Sequence, residues 1–198
     1  MKRIIATGSS GLIGSEAVAF FDQLGWDVHG VDNNMRRSFF GPDGDTTWNL
    51  ELLRREARHF THHDLDVRDG EGVSALFKRH RPDLIIHCAA QPSHDLAARR
   101  DNVHSYDVCA AFLEFYRAPR SAAVYNLGGG RANSVSILEA IERCQDLTGK
   151  TLTVEYVETS RLGDHITYIS DMRRRRADYP HLEITRSLDD IFRELTDR

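Results

Sequence analysis

Residues 4 to 14, Ile-Ile-Ala-Thr-Gly-Ser-Ser-Gly-Leu-Ile-Gly, constrain the fold of this chain more than any other stretch. An apolar run rich in β-branched residues stops at Thr7, and glycines follow at 8, 11 and 14. A helical spacing of apolar residues through Ala17, Val18, Phe20, Phe21 and Leu24 begins at once. The pattern predicts a strand, a tight turn and a helix. Gly8 lets the main chain turn sharply, Gly11 lets an anionic ligand approach the backbone, and Gly14 lets the helix pack close to its strand. The helix N-terminus then turns unpaired N–H groups and the positive end of its dipole toward that anion. Glycines also mark ordinary turns, and the strand-to-helix context is what favours a dinucleotide site here.

A second short strand is expected from Asp27 to Asp32, after Gly25 caps the first helix. Asp32 lies 18 residues beyond Gly14. A carboxylate at that distance accepts hydrogen bonds from the adenosine ribose hydroxyls, and its charge repels the extra phosphate of NADP, so NAD is the expected cofactor. Arg36 and Arg37 stand close enough to receive such a phosphate, or are ordinary solvated loop residues. The candidate cofactor contacts are Gly8, Ser10, Gly11, Leu12, Ile13 and Gly14 in the turn, with Asp32, Asn33 and Arg36 after the second strand.

Residues 38–46 read as a turn-rich connection, 47–57 as a helix and 58–62 as a third strand. His59, His62, His63, Asp64 and Asp66 lack the spacing of a ligand set, and a strand sends neighbouring side chains to opposite faces, so no metal is expected on this run. Asp66-Val67-Arg68-Asp69 opens a helix through Val73, Leu76 and Phe77. Asp83 to Ala90 is apolar throughout, as a central parallel strand covered on both faces would be. Three β-α-β steps in a row predict a doubly wound α/β sheet with its ligand at the carboxyl ends of the strands.

The 198 residues suffice for a core without staples, and 40% hydrophobic with 28% charged content is ordinary for a globular protein. A net charge of -4 gives no general attraction to nucleic acid or to an anionic membrane. Arg173 to Arg176 is a dense basic run without interleaved aromatics, and a solvated helical face is its expected form. Cys88, Cys109 and Cys144 form no Cys-x-x-Cys pair and suit a reducing compartment. The first strand begins at Lys2 or Arg3 with no room for a signal peptide, and no apolar run approaches a membrane span of about 20 residues, so a cytoplasmic location is expected.

Thr7 to Gly14, Asp32-Asn33, Asp66 to Asp69 and Pro82 to Ala90, in this order and spacing, resemble the N-terminal half of an extended short-chain dehydrogenase/reductase of the NAD-dependent nucleotide-sugar epimerase/dehydratase branch. The resemblance implies that Asp66 and Val67 hold the adenine, and that Ala89, Ala90 and Gln91 line the path to the nicotinamide. Arg100-Asp-Asn-Val-His104-Ser-Tyr-Asp107 resembles the family's Arg-Asp-x-x-His-x-x-Asp segment, Val124 to Gly129 its next strand, 134–141 the following helix, and Arg161-Leu-Gly-Asp164 its Arg-x-Gly-Asp turn. Ser187 to Leu195 resembles the closing helix. Arg100 and Arg161 are thereby implied to grip the pyrophosphate of a nucleotide-sugar, CDP- or UDP-linked, a task suited to the forked guanidinium. The wording around Gly128 to Glu139 leans toward the CDP-tyvelose 2-epimerase type, and a homodimer is the expected assembly. The fold expected is a Rossmann-type NAD-binding part over 1–98 and a small C-terminal α/β substrate-binding part over 99–198.

The resemblance breaks between Gln91 and Arg100. The family carries there a long segment with a catalytic Ser/Thr and a Tyr-x-x-x-Lys pair, and none of the three lysines here, Lys2, Lys78 and Lys150, lies four residues after a tyrosine. A free tyrosine with a pKa near 10 is ionised only about one part in a thousand at neutral pH, so a phenolic base needs such a cation. No catalytic residue is assigned, and the ordinary reading of the tyrosines is packing. Two functions stay open: a nucleotide-sugar epimerase or dehydratase, and a non-catalytic NAD-binding module or internally deleted remnant of one.

Overall fold

The apolar run at the N-terminus forms β1 (Arg3–Thr7), and α1 (Leu12–Gln23) follows directly across the glycine turn. The computed structural model describes residues 1–89, 99–155 and 167–197, and the chain divides into two compact units, Met1–Gln91 and Pro92–Arg198. In the first unit β1 pairs in parallel with β2 (Asp27–Val31) and β4 (Leu84–His87), and β2 pairs in parallel with β3 (Phe60–His63). The order is β3-β2-β1-β4. Between them run α2 (Met35–Phe40), α3 (Thr47–Glu56) and α4 (Gly70–His80).

Ile4, Ile5 and Ala6 of β1 are wholly buried. Ile5 and Val31 pack against Leu76 of α4, with Leu65 and Phe77 beside them. Alternation therefore turns Ile4 and Ala6 to the opposite face. On α1 the buried residues Ala17, Val18 and Phe21 fall at helical spacing, and Phe21 meets Trp26 edge-on at 5.0 Å. The helix stops because Gly25 takes φ +75°: its N–H reaches Asp22 O, and Trp26 N–H reaches Phe21 O, closing a Schellman turn that delivers the chain into β2. Asp69 caps α4, its carboxylate accepting from Gly72 N–H.

Two features of this unit differ from the sequence expectation. Residues 38–46 are not a plain loop, because α2 runs into a 3-10 turn over Gly41–Gly44, bracketed by the left-handed residues Asn34 and Gly41. The strand β4 is at the edge of the sheet among the described residues, not in its middle. With β1 as its one described neighbour, Ile86 is buried but Ile85 is 48% exposed.

The second unit is built on β5 (Arg99–Asp101), which pairs antiparallel with β6 (Ser134–Ser136) and parallel with β7 (Thr167–Tyr168). Its helices are α5 (Ser105–Arg117), α6 (Ile137–Thr148), α7 (Arg173–Asp178) and α8 (Leu188–Thr196). Ser136 with Glu139 and Ser187 with Asp190 form reciprocal capping boxes that start α6 and α8. Ala111, Tyr179 and Leu182 form a small core with Phe115, Tyr125 and Leu127 around it. The expected strand over 124–129 does not form. Instead of joining a ladder, this segment presses Gly128 against Asp101 and Gly129 against Asn102, and Gly130 N–H donates to the Asp101 carboxylate at 3.0 Å. The basic run is also not a uniformly solvated face: Arg175 is 4% exposed and donates to the Leu182 carbonyl, while Arg173 pairs with Asp171 in solvent.

A Cβ at position 14 would fall on the Gly8 carbonyl, whereas one at Gly70 meets nothing. Gly14→Ala is therefore expected to lose about 2–3 kcal/mol in urea unfolding, and Gly70→Ala to stay within about 0.5 kcal/mol of the parent. Equal stability of the two variants would contradict this account of the turn.

Candidate functional site

The carboxyl ends of β1 and β2 come together around the glycine turn. Gly8 has φ +67°, and its N–H is bonded to Val31 O at 2.8 Å, so the turn is tied to the end of β2. A side chain at Gly8 would strike the backbone of Cys88 and Ala89. Gly11 is different. Its φ of -79° and ψ of 173° suit any residue, and a Cβ there would meet only Gly8 O, at 3.3 Å. Apart from that one tight contact the space above Gly11 is open, which is the property required for a ligand's backbone-hugging anion. Among the described residues no side chain caps α1, and no acidic residue stands in its first turn, so the dipole and the first N–H groups face no side chain that is described. Leu12 is 75% exposed beside them.

Asp32 follows β2 directly. Its Oδ2 accepts from Ser10 N–H at 3.0 Å and its Oδ1 from Asn34 N–H at 2.8 Å. Each carboxylate oxygen retains a lone pair for a hydroxyl. Asn33 turns its amide oxygen to Met35 N–H. The two arginines nearest Asp32 are engaged within their own loop: the Arg36 guanidinium lies 5.3 Å from the Phe40 ring centroid, and Arg37 pairs with Asp45 at 3.0 Å.

An open cleft of about 360 Å³ adjoins this carboxylate, lined by Ser10, Asp32, Asn34, Thr47, Leu50 and His62 among others. Its wall depends on Asn34, which occupies the left-handed region at φ 55°. The Asn34 amide donates to Asp45 Oδ1 at 2.9 Å and to Thr47 Oγ1 at 3.1 Å, and its oxygen accepts from Thr46 N–H. Asn49 ties α3 to the glycine turn, donating to Ser10 O at 3.0 Å. Hydrogen bonds from Thr47 and Asn34 hold Asp45 down to about 2. Sequence reasoning missed Asn34, Thr47 and Leu50. The available signal was local, an Asp-Thr-Thr start to α3 of the kind that caps helices.

The remaining expected contacts are placed as follows. Asp66 is gripped by Arg68 at 2.6 Å, which with the Arg68 N–H holds it down to about 2, and Val67 is 40% exposed. Ala89 follows β4, where its N–H approaches Thr7 Oγ1, and Thr7 Oγ1 also meets His87 Nδ1 at 2.7 Å. Burial pushes the neighbouring Cys88 thiol up to about 11. Ala90, Gln91 and Arg161 lie outside the described residues. In the second unit Arg100 sits in β5, opposite Val135 and beside Tyr168.

The acid and histidine positions that follow Arg100 act as struts. Asp101 holds Gly130, His104 Nδ1 accepts from Tyr106 N–H while its Nε2 meets Glu194 at 2.6 Å, and the buried Asp107 accepts from Thr185 N–H, Thr185 Oγ1 and Arg186 N–H. Tyr125 donates to Asp178 at 2.7 Å. Burial and that carboxylate push its phenol up to about 12, away from what a base requires.

Comparison with known proteins bears on both units. Residues 4–97 match the model of the NAD dependent epimerase/dehydratase family. The whole chain is similar in fold to dTDP-glucose 4,6-dehydratase from Bacillus anthracis in complex with NAD, at 14% identity and a TM-score of 0.79, over 100% of this chain and 96% of that one. It is similar to UDP-glucose-4-epimerase from Stenotrophomonas maltophila with bound NAD and formylated UDP-arabinopyranose, at 16% identity and a TM-score of 0.79, over 100% and 97%. UDP-glucuronic acid 4-epimerase from Bacillus cereus in complex with UDP-glucuronic acid and NAD matches at 16% identity and a TM-score of 0.77, over 100% and 98%.

Asn34→Ala removes the bonds that hold the cleft wall and places a Cβ-bearing residue without a compensating side chain in the left-handed region. It is expected to cost about 1–2 kcal/mol in chemical unfolding, with Asn34→Gly recovering only the backbone part. A melt of Asn34→Ala that superimposes on the parent would show the wall to be held by something else.

Proposed function

We propose that this chain, whose residues 4–97 match the model of the NAD dependent epimerase/dehydratase family, holds NAD across its glycine turn and acts on a nucleotide-sugar. The observation that carries this reading is the open space over Gly11 in front of an α1 N-terminus that no side chain caps, with Asp32 alongside. The pyrophosphate rests on that N-terminus, and the free lone pairs of Asp32 receive the adenosine ribose hydroxyls. Arg36 and Arg37 are occupied by Phe40 and Asp45, which supports NAD over NADP. The family resemblance assigns Asp66 and Val67 to the adenine, and Ala89, Ala90 and Gln91 to the path to the nicotinamide; Asn33 is assigned to the cofactor beside Asp32. Arg100 and Arg161 hold the diphosphate of a UDP- or CDP-linked sugar. A homodimer in the cytoplasm completes the reading, and no described helix is long and apolar enough to cross a membrane.

When bound, NAD supplies reversible hydride acceptance from a sugar carbon. The chain's own residues bind and orient: backbone N–H groups of α1 fix the pyrophosphate, Asp32 fixes the ribose, and the cleft beside it encloses the adenosine end. A proton must also leave the sugar hydroxyl. The sequence has no Tyr-x-x-x-Lys pair, and the raised Tyr125 phenol faces Asp178. That observation favours a second reading, an NAD-binding module without turnover. Steady conversion of UDP- or CDP-sugars by the purified chain supports the enzyme, and NAD binding without conversion supports the module.

Two variants test the cofactor site by fluorescence titration with NAD. Gly11→Val is expected to abolish binding at only a modest cost in melting temperature, because its backbone conformation suits valine and the added side chain crowds one neighbour alone, the Gly8 carbonyl. Retained binding would refute the cradle. Asp32→Ala is expected to weaken NAD by roughly 10–100-fold and to shift selectivity toward NADP, since hydrogen bonds to a carboxylate are lost with the charge. Unchanged selectivity would count against the ribose contact.

A further inference from the structure

Three histidines from three elements meet on one face of the first sheet. His29 is in β2, His63 ends β3 and His80 ends α4, and one ring nitrogen from each lies within 4.8 Å of the others. His29 Nδ1 stands 3.0 Å from His63 Nε2, and the His29 and His80 ring centroids are 3.9 Å apart. Spacing along β3 alone could not have revealed this group. The alternation expected of a strand holds, since His62 lines the cofactor cleft and His63 turns away from it, but His63 then meets partners from β2 and α4.

We propose that His29, His63 and His80 form a binding site for a zinc-class divalent transition metal ion. Imidazole is the favoured nitrogen ligand of such ions, and M–N bonds of about 2.0–2.1 Å in a tetrahedron place ligand nitrogens about 3.4 Å apart. The His29–His63 pair, hydrogen-bonded at 3.0 Å, is close to that spacing, and the His80 nitrogen, within 4.8 Å of both, would close the rest by turning its side chain. The far nitrogen of His29 supplies a second, independent indication. His29 Nε2 is buried and faces Asp27 Oδ2 at 3.4 Å, a carboxylate that Arg3 anchors at 2.6 Å. A carboxylate behind the outer nitrogen of a ligating histidine orients the ring and raises its basicity, and here it waits at the nitrogen that would face away from the ion. Arg3 and Arg79 are the cations nearby, and Asp27 offsets the first of them. Solvent or a small anion supplies the fourth ligand, on the side where His63 and His80 are half exposed. The ion would fasten β2, β3 and the end of α4 to one another.

The test uses the full chain, stripped with EDTA and titrated with Zn²⁺ against a chromophoric chelator. One equivalent is expected to bind and to raise the melting temperature. His80→Gln and His63→Gln are each expected to weaken Zn²⁺ by at least about tenfold, and His181→Gln to leave it unchanged. Absence of stoichiometric binding, or binding that survives both cluster variants, overturns the site. Should both variants fail to fold in EDTA, pulsed EPR of the Cu²⁺ form of the unaltered chain decides. More than one coordinated imidazole supports the proposal, and one or none overturns it.

Discussion

The close approach of Gly14 to the carbonyl of Gly8 is the contact on which the first unit depends. It fixes how α1 leaves β1, and so where the free N–H groups of that helix point. The same turn is held from the other side, by Gly8 N–H on Val31 and Ser10 N–H on Asp32. Asp32 therefore has two tasks in one carboxylate: it shapes the glycine turn through Ser10 N–H, and it faces the cleft lined by Asn34 and Thr47. Gly11 contributes by what it leaves empty. The division among the three glycines is physical, with Gly8 supplying a left-handed bend, Gly14 supplying proximity and Gly11 supplying access.

The second unit is ordered by different means. Its sheet strands are two or three residues long and contribute few ladder bonds. Carboxylates take over the task of joining distant segments, Asp107 reaching the loop before α8 and Asp101 reaching the glycines at 128–130. Asn133 does the same, accepting from Leu188 N–H and donating to Arg186 O. A buried charge that accepts three hydrogen bonds is well compensated, and removing it would strand three donors at once.

The parts of the fold legible in the sequence were those encoded locally. The glycine turn, the Gly25 stop, the helix opened by Asp66 to Asp69 and the alternation of β3 all follow from residues within one turn of where they act. Among the candidate site residues, Asp32 was legible because its spacing from the turn is fixed by one helix and one strand. The wall built by Asn34 was not, because its bonds join residues 11 to 13 apart through a left-handed backbone that sequence does not announce. Arg175 was read as solvated because a run of four arginines looks uniform, yet a short helix points one of them inward at the Leu182 carbonyl. The edge position of β4 among the described strands was hidden for the opposite reason. An apolar run reports that a strand prefers burial and says nothing of how many neighbours it has.

The opposed pair His62 and His63 carries one more consequence. Because consecutive residues of β3 serve different faces, one toward the cleft beside Asp32 and one toward His29 and His80, the two faces can drift by substitution independently of each other. A single-residue insertion or deletion has no such freedom. It would reverse every side chain beyond it and exchange the two environments together. Over evolutionary time this strand is therefore expected to vary in spelling but not in length.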